Sequence, residues 1–555
     1  MAEEVKKKSL EKTNPTLKAT GSKTAKDATE KKKTTTAKKA PAVKKAVKTE
    51  TKPVAKTAVA VEKVETLVKK EKPTLVVERK KIMFVASEAL PFVASGGLGE
   101  VIGSLPKALA NNPNYDIRVV MPLYSIIPEK FKREFQYIGN TQITMAWRSQ
   151  YCGVFKYVFN GVTFYFLDNE YYFKRSGIYG YLDEAERYTF MSKAALDIIP
   201  MIGFIPQIIH CHDWQSALIP VYLKTNYKNI DMYKNIRTVF TIHNMEYQGR
   251  YGSDLLYDLF DLPDWSMSLL EYQGDINLMK GAVQCADIVS TVSPSYAKEI
   301  LDPIASCGLY YINQQNAYKM RGILNGIDVE GYNAKTDSAI PFNFDENTLE
   351  IKSKNKAALQ EALGLPVNES IPMIAMITRL VAHKGIDLVK EMMEEMLAKD
   401  IQFVILGTGD YNYEEYFKTC EKNHSDKMRA LIEFNGTLSR KIYAAADMFL
   451  MPSKNEPCGL SQMICSRYAT IPVVRHVGGL GDSIVDNGAG NGNGYTFYDY
   501  NGRHMLDSIE RCLVLYKDKE KWKELMTRAI TTDFSWAKSA EKYLVMYDEL
   551  LSGKI

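Results

Sequence analysis

Short apolar runs alternate with stretches of helical apolar spacing along most of the chain. The first run, 81–87, precedes a loop with paired glycines and a helical pattern over 98–110. Comparable runs, each suited to a buried strand, lie at 117–121, 207–210, 238–242, 288–292, 371–377, 403–406, 448–451 and 471–474. Wholly apolar strands that alternate with helices are typical of parallel sheets. The pattern predicts an α/β fold, with a linker between two sheets over about 329–370.

Residues 1–80 differ in composition from the rest of the chain. They contain no Phe, Trp, Tyr or Cys and carry 23 Lys and Arg against 10 Asp and Glu, whereas residues 81–555 carry 48 against 56. Such a segment buries too little apolar surface to offset its chain entropy, so we expect a disordered basic tail over 1–79. Its charge would bind polyanions weakly, but it lacks the aromatic residues that a nucleic-acid partner requires for base stacking.

The remaining composition bears on cellular location. Glu3 and Glu4 occupy the place of a basic signal-peptide region, and Arg79 is the only arginine of the tail, so neither a secretory signal nor a transit peptide is expected. No apolar run reaches the roughly 18 residues of a membrane span. The eight cysteines form no CxxC pair, which argues against a disulfide framework or a zinc ribbon and favours the cytoplasm.

Two stretches in the first half carry candidate chemistry. The loop 95–99 would let backbone N–H groups approach an anion at a helix start, although a tight structural turn uses the same residues. The stretch 210–214 ends an apolar run, where polar side chains line the crevice of an open α/β sheet. His210 and His212 share one strand face and would suit a metal, but no third ligand follows at a recognisable spacing. A core histidine with satisfied hydrogen bonds is the alternative for His210.

Two further stretches with polar residues lie at or near strand ends. The sequence 241–244 (TIHN) follows an apolar run and precedes Tyr247. The sequence 324–328 (LNGID) contains an Asn-Gly dipeptide, which a turn alone would explain.

The second half carries cations and a glycine-containing loop. Arg379 and Lys384 follow a predicted strand, where two cations hold a diphosphate and neutralise the charge that grows on it as a leaving group. A solvated surface pair is the alternative. The loop 453–461 enters a helix, so its amides would suit a phosphate, while Glu456 would accept hydrogen bonds from sugar hydroxyls.

Taken in order, these stretches resemble the bacterial glycogen synthases and plant starch synthases of glycosyltransferase family 5. The resemblance covers nearly all of 81–555. It is carried by 84–88 (FVASE), 96–98 (GGL), 212–214 (HDW), 241–244 (TIHN), 324–328 (LNGID), 456–460 (EPCGL), 478–480 (GGL) and 533–536 (DFSW). The EPCGL sequence is seldom found outside this group, whereas a GGL turn is common.

The resemblance implies the GT-B fold, with two Rossmann-like α/β domains whose parallel sheets face a central cleft. These domains would span 80–335 and 336–535, and a C-terminal helix in 536–555 would return to the first domain. The implied activity is transfer of glucose from ADP-glucose to the non-reducing 4-hydroxyl of an α-1,4-glucan with retention of configuration. Neither a metal nor another cofactor is implied.

The resemblance also implies roles for individual residues of this sequence, matched position by position to the family's motifs. The resemblance assigns Arg379 and Lys384 to the donor diphosphate, Glu456 to the donor sugar, and His243 and Asp213 to the transferred glucose, so these five are the candidate catalytic residues. Donor contacts are further implied for Gly96, Gly97, Asn325, Cys458, Gly459 and Leu460, and cleft or acceptor contacts for Trp214, Asn244 and Tyr247.

Two positions depart from the family pattern. Ala94 stands where a lysine usually precedes the first Gly-Gly-Leu, which removes a cation near the donor, and Ser439 replaces a frequent histidine. No pair of glycosidase-type carboxylates is apparent, so we expect a same-face substitution in which the leaving phosphate accepts the acceptor's proton.

Three alternatives remain open from the sequence. The first is a GT-B glycosyltransferase with another nucleotide sugar, such as UDP-glucose, or with another acceptor. The second is a glucan-binding homologue that has lost catalysis, which only Ala94 suggests. The third is nucleic-acid binding through the tail.

Overall fold

A computed structural model describes residues 78–554 of the chain. The predicted tail, 1–79, lies outside the described residues except for its last two positions, so its disorder and its polyanion contacts stay predictions.

The described range contains 18 strands and 20 α-helices. The strands are β1 Lys80–Val85, β2 Tyr115–Pro122, β3 Gln136–Met145, β4 Arg148–Phe159, β5 Val162–Asp168, β6 Ile208–His212, β7 Arg237–Ile242, β8 Arg250–Tyr251, β9 Glu271–Tyr272, β10 Asp275–Asn277, β11 Ile288–Thr291, β12 Met320–Gly322, β13 Met373–Ile377, β14 Gln402–Leu406, β15 Met428–Leu431, β16 Met448–Met451, β17 Ile471–Arg475 and β18 Tyr495–Phe497. The helices are α1 Gly97–Ala110, α2 Glu129–Lys132, α3 Glu170–Phe173, α4 Glu184–Asp197, α5 Ile199–Ile202, α6 Leu218–Lys224, α7 Leu255–Asp258, α8 Met267–Leu270, α9 Leu278–Cys285, α10 Pro294–Glu299, α11 Tyr310–Gln315, α12 Lys352–Ala362, α13 Ile386–Leu397, α14 Tyr411–Asn423, α15 Gly436–Ala445, α16 Ser461–Arg467, α17 Gly478–Ser483, α18 Gly502–Tyr516, α19 Lys519–Thr531 and α20 Trp536–Leu551.

Two large sheets organise these elements. The first has nine strands in the order β12-β11-β7-β6-β1-β2-β5-β4-β3, parallel from β12 to β5 and antiparallel at β4 and β3. The second has six parallel strands in the order β15-β14-β13-β16-β17-β18. The strand order reverses between β1 and β6 in the first sheet and between β13 and β16 in the second. Doubly wound sheets of this kind bind ligands outside the carboxyl ends of the strands at that reversal.

The predicted two-domain α/β fold with parallel sheets is confirmed, and all nine predicted strands are present with ends within two residues of the prediction. The antiparallel edge formed by β3 and β4 was not predicted. Most of β3 is exposed or half-buried, so its residues form no apolar run.

The segment 329–370, predicted as a linker, lies between the last strand of the first sheet and the first strand of the second, and it contains helix α12, which was not predicted. The buried face of α12 consists of Lys352, Asn355, Lys356, Leu359 and Gln360. Only one of these five residues is apolar, so the helix has no apolar periodicity in the sequence.

The two buried lysines of α12 are held by specific partners. The Nζ atom of Lys352 donates to the carbonyl oxygens of Ala444 and Tyr468, both at 2.9 Å, which lie in the last turn of α15 and just after α16. The Nζ atom of Lys356 lies 2.6 Å from a carboxylate oxygen of Asp447. Helix α12 is therefore attached to the second domain through these polar contacts.

The C-terminal helix α20 packs against α1 of the first domain. Its Tyr547 hydroxyl lies 2.7 Å from Nδ1 of His210, and its Asp548 carboxylate bonds to Lys80 and to Tyr115. The domain boundaries at 335 and 535 stay predictions. Within residues 78–554, no helix is both long enough and apolar enough to cross a membrane.

We predict that Lys352→Met destabilises the fold by about 2 to 3 kcal/mol, because it leaves buried carbonyl oxygens without a donor while it nearly keeps the side-chain length. Urea unfolding followed by circular dichroism measures the change. Lys354→Met, at an exposed position of the same helix, is the matched control. Equal stability of the two variants would contradict the prediction.

Candidate active site

Loops that follow the strands at both order reversals line one cavity of about 780 Å³. On the first sheet these loops follow β1, β6 and β7, and on the second sheet they follow β13 and β16. The cavity lining includes every site residue predicted from the sequence, namely Gly96, Gly97, Asp213, Trp214, His243, Asn244, Tyr247, Asn325, Arg379, Lys384, Glu456, Cys458, Gly459 and Leu460.

An ion pair joins the two loops of the second sheet. The Nζ atom of Lys384 donates to Oε2 of Glu456 at 2.7 Å, and the two side chains are only 17% and 8% exposed. The hydroxyl of Ser453 donates to the same oxygen at 3.0 Å. Within residues 78–554, Oε1 of Glu456 has no hydrogen-bond partner. This carboxylate is therefore fixed through one oxygen and free to accept a hydrogen bond through the other.

Gly385 allows the loop after β13 to approach the loop after β16. Its φ is +75°, in the left-handed region that favours glycine, and a Cβ atom there would lie 2.1 Å from the carbonyl oxygen of Pro452. A side chain at this position would separate the two loops and with them the atoms of the Lys384–Glu456 pair.

The loop before α16 is held from both domains. The amide of Gly479 donates to the carbonyl oxygens of Glu456 and Pro457, both at 3.2 Å. From the first domain, the hydroxyl of Ser293 donates to the carbonyl oxygen of Pro457 at 2.6 Å. Helix α16 begins at Ser461, directly after Gly459 and Leu460.

Glu88 anchors the glycine loop of the first domain. One of its carboxylate oxygens accepts hydrogen bonds from the amide of Ser95 at 2.5 Å and from the Ser95 hydroxyl at 2.9 Å. Burial raises the pKa of Glu88. Gly96 has a φ of −168°, which any residue adopts, and a Cβ atom at Gly96 or Gly97 would meet no protein atom within 4 Å. A tight turn therefore does not explain Gly96, and open space lies beside both glycines.

Asp213 and His243 are coupled through the backbone. One carboxylate oxygen of Asp213 accepts a hydrogen bond from the amide of His243 at 2.7 Å. Burial, with a smaller contribution from the charge of Glu88, raises the pKa of Asp213 to about 7. Burial also lowers the pKa of His243 to about 3, so its imidazole is neutral.

The core-histidine alternative is correct for His210. This residue is fully buried, and its ring nitrogens lie 2.7 Å from the Tyr547 hydroxyl and 2.6 Å from the Thr241 hydroxyl. Both ring nitrogens of His210 therefore have hydrogen-bond partners already, which excludes a metal site shared by His210 and His212. No group of three or more His, Cys, Asp or Glu side chains that could hold a metal ion occurs in the part of the chain that the structure describes.

Cys458 and Asn325 are buried in the cavity wall. Burial raises the pKa of the Cys458 thiol to about 12, so it is protonated. Oδ1 of Asn325 is buried without a hydrogen-bond partner among residues 78–554. Tyr247, in contrast, is 55% exposed at the edge of the cavity.

Some lining residues were not predicted from the sequence, among them Glu88, Tyr179 and Glu299. Glu88 follows β1, beside the order reversal, so its place after the first apolar run was a usable signal. Tyr179 lies in a loop and Glu299 at the end of a short helix, and no strand end marks either of them.

Two doubly wound sheets whose order reversals share one cavity, with a cation and a carboxylate paired in its wall, form the two-domain arrangement of a GT-B fold. Residues 81–315 match the starch synthase catalytic domain family, and residues 361–527 match the glycosyl transferases group 1 family. Glycogen synthases from Clostridium botulinum (strain Eklund 17B) and Lactobacillus acidophilus are 47% and 44% identical to this chain over 461 residues, which is 82% of it and 96% and 97% of theirs. The chain belongs to the glycogen and starch synthase family.

Solved structures agree with this membership. The catalytic domain of starch synthase IV from Arabidopsis thaliana, bound to ADP and acarbose, has a TM-score of 0.79 at 31% identity and covers 86% of this chain and 100% of its own. Sucrose-phosphate synthase from Thermosynechococcus elongatus, with a TM-score of 0.56 at 14% identity, shares the fold. The protein is a glycosyltransferase with glycogen or starch synthase function.

We predict that Asp213→Asn gains stability relative to the wild type as the pH rises from 5 to 8. The pKa of Asp213 is about 7 in the folded state and about 3.9 in an unfolded chain. The native state therefore binds the extra proton between these values, and the wild type loses up to about 1.4 kcal/mol per pH unit there. Asn carries no such proton.

Urea unfolding of both proteins at pH 5, 6, 7 and 8 measures this difference. Glu246→Gln, at an exposed residue of the same cavity, is the control for removal of a carboxylate. A difference between Asp213→Asn and the wild type that does not change with pH would contradict the prediction.

Proposed function

We propose that the cavity transfers glucose from ADP-glucose to the non-reducing 4-hydroxyl of an α-1,4-glucan with retention of anomeric configuration. The observation that carries the proposal is the shared cavity, which takes Arg379, Lys384 and Glu456 from the second sheet and Asp213 and His243 from the first. The related starch synthase domain was solved with ADP and acarbose, which supports an adenine nucleotide donor and a glucan acceptor.

Arg379 and Lys384 bind the donor diphosphate in this proposal. Cleavage of the anomeric C–O bond places negative charge on the diphosphate, and cations beside the leaving group stabilise that charge. The Lys384 ammonium has three N–H donors, so it can keep its 2.7 Å contact with Glu456 while it binds a phosphate oxygen. These cations supply the positive charge, so the proposal needs no metal.

The substitution takes place on one face of the sugar. Glu456 shares its charge with the Lys384 ammonium, and the raised pKa of Asp213 keeps that carboxyl partly protonated near pH 7, so we assign neither group the role of nucleophile. The acceptor 4-hydroxyl instead bonds to the anomeric carbon as the diphosphate leaves from the same face. The leaving phosphate oxygen takes the acceptor's proton, and the anomeric configuration is retained.

The first domain binds the transferred glucose and the acceptor. His243 is neutral and Asp213 is half-buried beside it, so both suit hydrogen bonds to sugar hydroxyls. The open space beside Gly96 and Gly97 allows the donor to approach their amides. Trp214, Asn244 and Tyr247 line the same cavity and bind the acceptor in this proposal.

We also propose that the protein acts in the cytoplasm, as all eight cysteines are free thiols.

The two domains would close on the substrates and expel water that would otherwise hydrolyse the donor.

Incubation of the purified protein with glycogen and either ADP-glucose or UDP-glucose tests the proposal. We predict ADP release coupled to glucan growth, with a kcat/KM for ADP-glucose at least about tenfold higher than the kcat/KM for UDP-glucose, which corresponds to about 1.4 kcal/mol.

Arg379→Ala and Glu456→Ala should reduce kcat about 10²- to 10³-fold without a matching loss of glycogen affinity in a direct titration. Absence of transfer from both donors would contradict the proposal, and an equal loss of glycogen affinity would contradict the donor-side assignment.

Ala94 allows a second test of the donor site. It is exposed and directly precedes Ser95, which lines the cavity. A lysine here would add a charge-assisted contact worth about 1.5 to 3 kcal/mol to the diphosphate or the sugar. We predict that Ala94→Lys lowers the KM for ADP-glucose about tenfold. Ala94→Gln, which has no charge, is the matched control, and an unchanged or raised KM in Ala94→Lys would contradict the prediction.

A further inference from the structure

Three histidines connect the cavity to the C-terminal helix. His243 lines the cavity, and its Nε2 lies 3.0 Å from Nδ1 of His212. The His212 ring is fully buried, stacked at 5.3 Å on the ring of Phe84 and 4.2 Å from the ring of His210. Nδ1 of His210 lies 2.7 Å from the Tyr547 hydroxyl of α20.

Burial lowers the pKa of both His212 and His243, so both imidazoles are neutral. A neutral imidazole carries one N–H donor and one lone-pair acceptor. In the contact between the two rings, one nitrogen must therefore donate and the other must accept. The protons have two consistent arrangements, which differ at the far nitrogen of each ring.

The other nitrogen of His212 distinguishes these arrangements. Its Nε2 is buried and has no hydrogen-bond partner among residues 78–554. If His243 donated, His212 would carry its proton on this Nε2, as an N–H group buried without an acceptor. Unpaired buried N–H groups are rare in proteins and cost about 1 to 3 kcal/mol. The favoured arrangement has the proton on Nδ1 of His212, which donates to Nε2 of His243.

This choice determines what His243 offers to a ligand. With Nε2 as the acceptor, the proton of His243 is on Nδ1. That nitrogen has no hydrogen-bond partner among the described residues and is not enclosed by the protein. His210 imposes no such choice, because its partners Thr241 and Tyr547 are hydroxyls that can donate or accept.

We propose that His212 is a positioning residue that holds His243 in the Nδ1–H form, so that His243 presents a hydrogen-bond donor to an oxygen of the bound sugar. The sugar as ligand rests on the proposed function, whereas the tautomer rests on the two imidazoles alone. An N–H group at this point can donate only to a ligand atom that has a lone pair in that direction. His212 thereby contributes to substrate recognition without contact with the substrate.

Two variants of His212 test the assignment. His212→Asn keeps an N–H donor close to the place of Nδ1, and His212→Leu removes the donor with little change in volume. ¹⁵N spectra of histidine-labelled protein report which ring nitrogen carries the proton, and the seven histidines of the chain make assignment by single substitution practical. His210→Leu, which removes a buried imidazole from the same stack, is the matched control.

We expect the His243 proton on Nδ1 in the wild type, in His212→Asn and in His210→Leu, and a shift towards Nε2–H in His212→Leu. In the transfer assay, His212→Leu should lose about tenfold in kcat/KM and His212→Asn should recover most of it. A wild-type proton on Nε2, or an unchanged tautomer in His212→Leu, would overturn the assignment. The spectra need no turnover, so failure of the proposed function and failure of this inference are distinguishable, and the wild-type and Asn spectra decide if the Leu variant does not fold.

Discussion

The largely buried ion pair between Lys384 and Glu456 is the interaction on which the second domain's side of the cavity depends. It joins the loops that follow β13 and β16, at the position where the strand order of the second sheet reverses. Burial of two charges is costly unless their geometry is good and other hydrogen bonds complete it, which the Ser453 hydroxyl does here. The close approach of the loops in turn requires glycine at 385. The pair therefore holds a cation and a carboxylate at one site before any ligand arrives.

Helix α10 of the first domain contacts both the loop before α16 and the neighbouring helix α17 of the second domain. Besides the bond from Ser293 to the Pro457 carbonyl oxygen, the Glu299 carboxylate accepts a hydrogen bond from the amide of Gly478 at 2.7 Å, and Ser295 bonds to Asp482 at 2.7 Å. The first contact holds the loop before α16, and the other two hold α17, against the helix that follows β11 of the first sheet. Variation at α10 would therefore change how the two halves of the cavity meet without a change in any residue that binds substrate.

Nine of the strands, and the strand-end stretches that carry most of the predicted lining residues, could be predicted from the sequence because both follow from one physical rule. Buried parallel strands are apolar throughout, and their carboxyl ends converge where the strand order reverses. Helix α12 escaped prediction because Lys352 and Lys356 occupy its buried face and find their partners on distant segments. Glu299 escaped because its partner, the amide of Gly478, lies far along the chain. The contact between His212 at the end of β6 and His243 just after β7 joins residues far apart along the chain, so the sequence does not display it.

The most direct test of this account is a double-mutant cycle on the ion pair, read in kcat/KM for ADP-glucose. The cycle compares Lys384→Met, Glu456→Gln and the double variant with the wild type. If the pair acts as a unit, the double variant should lose less than the two single variants together, with a coupling of about 1 to 3 kcal/mol. Additive losses, with no coupling, would contradict the account, because Lys384 and Glu456 would then serve the donor independently of each other.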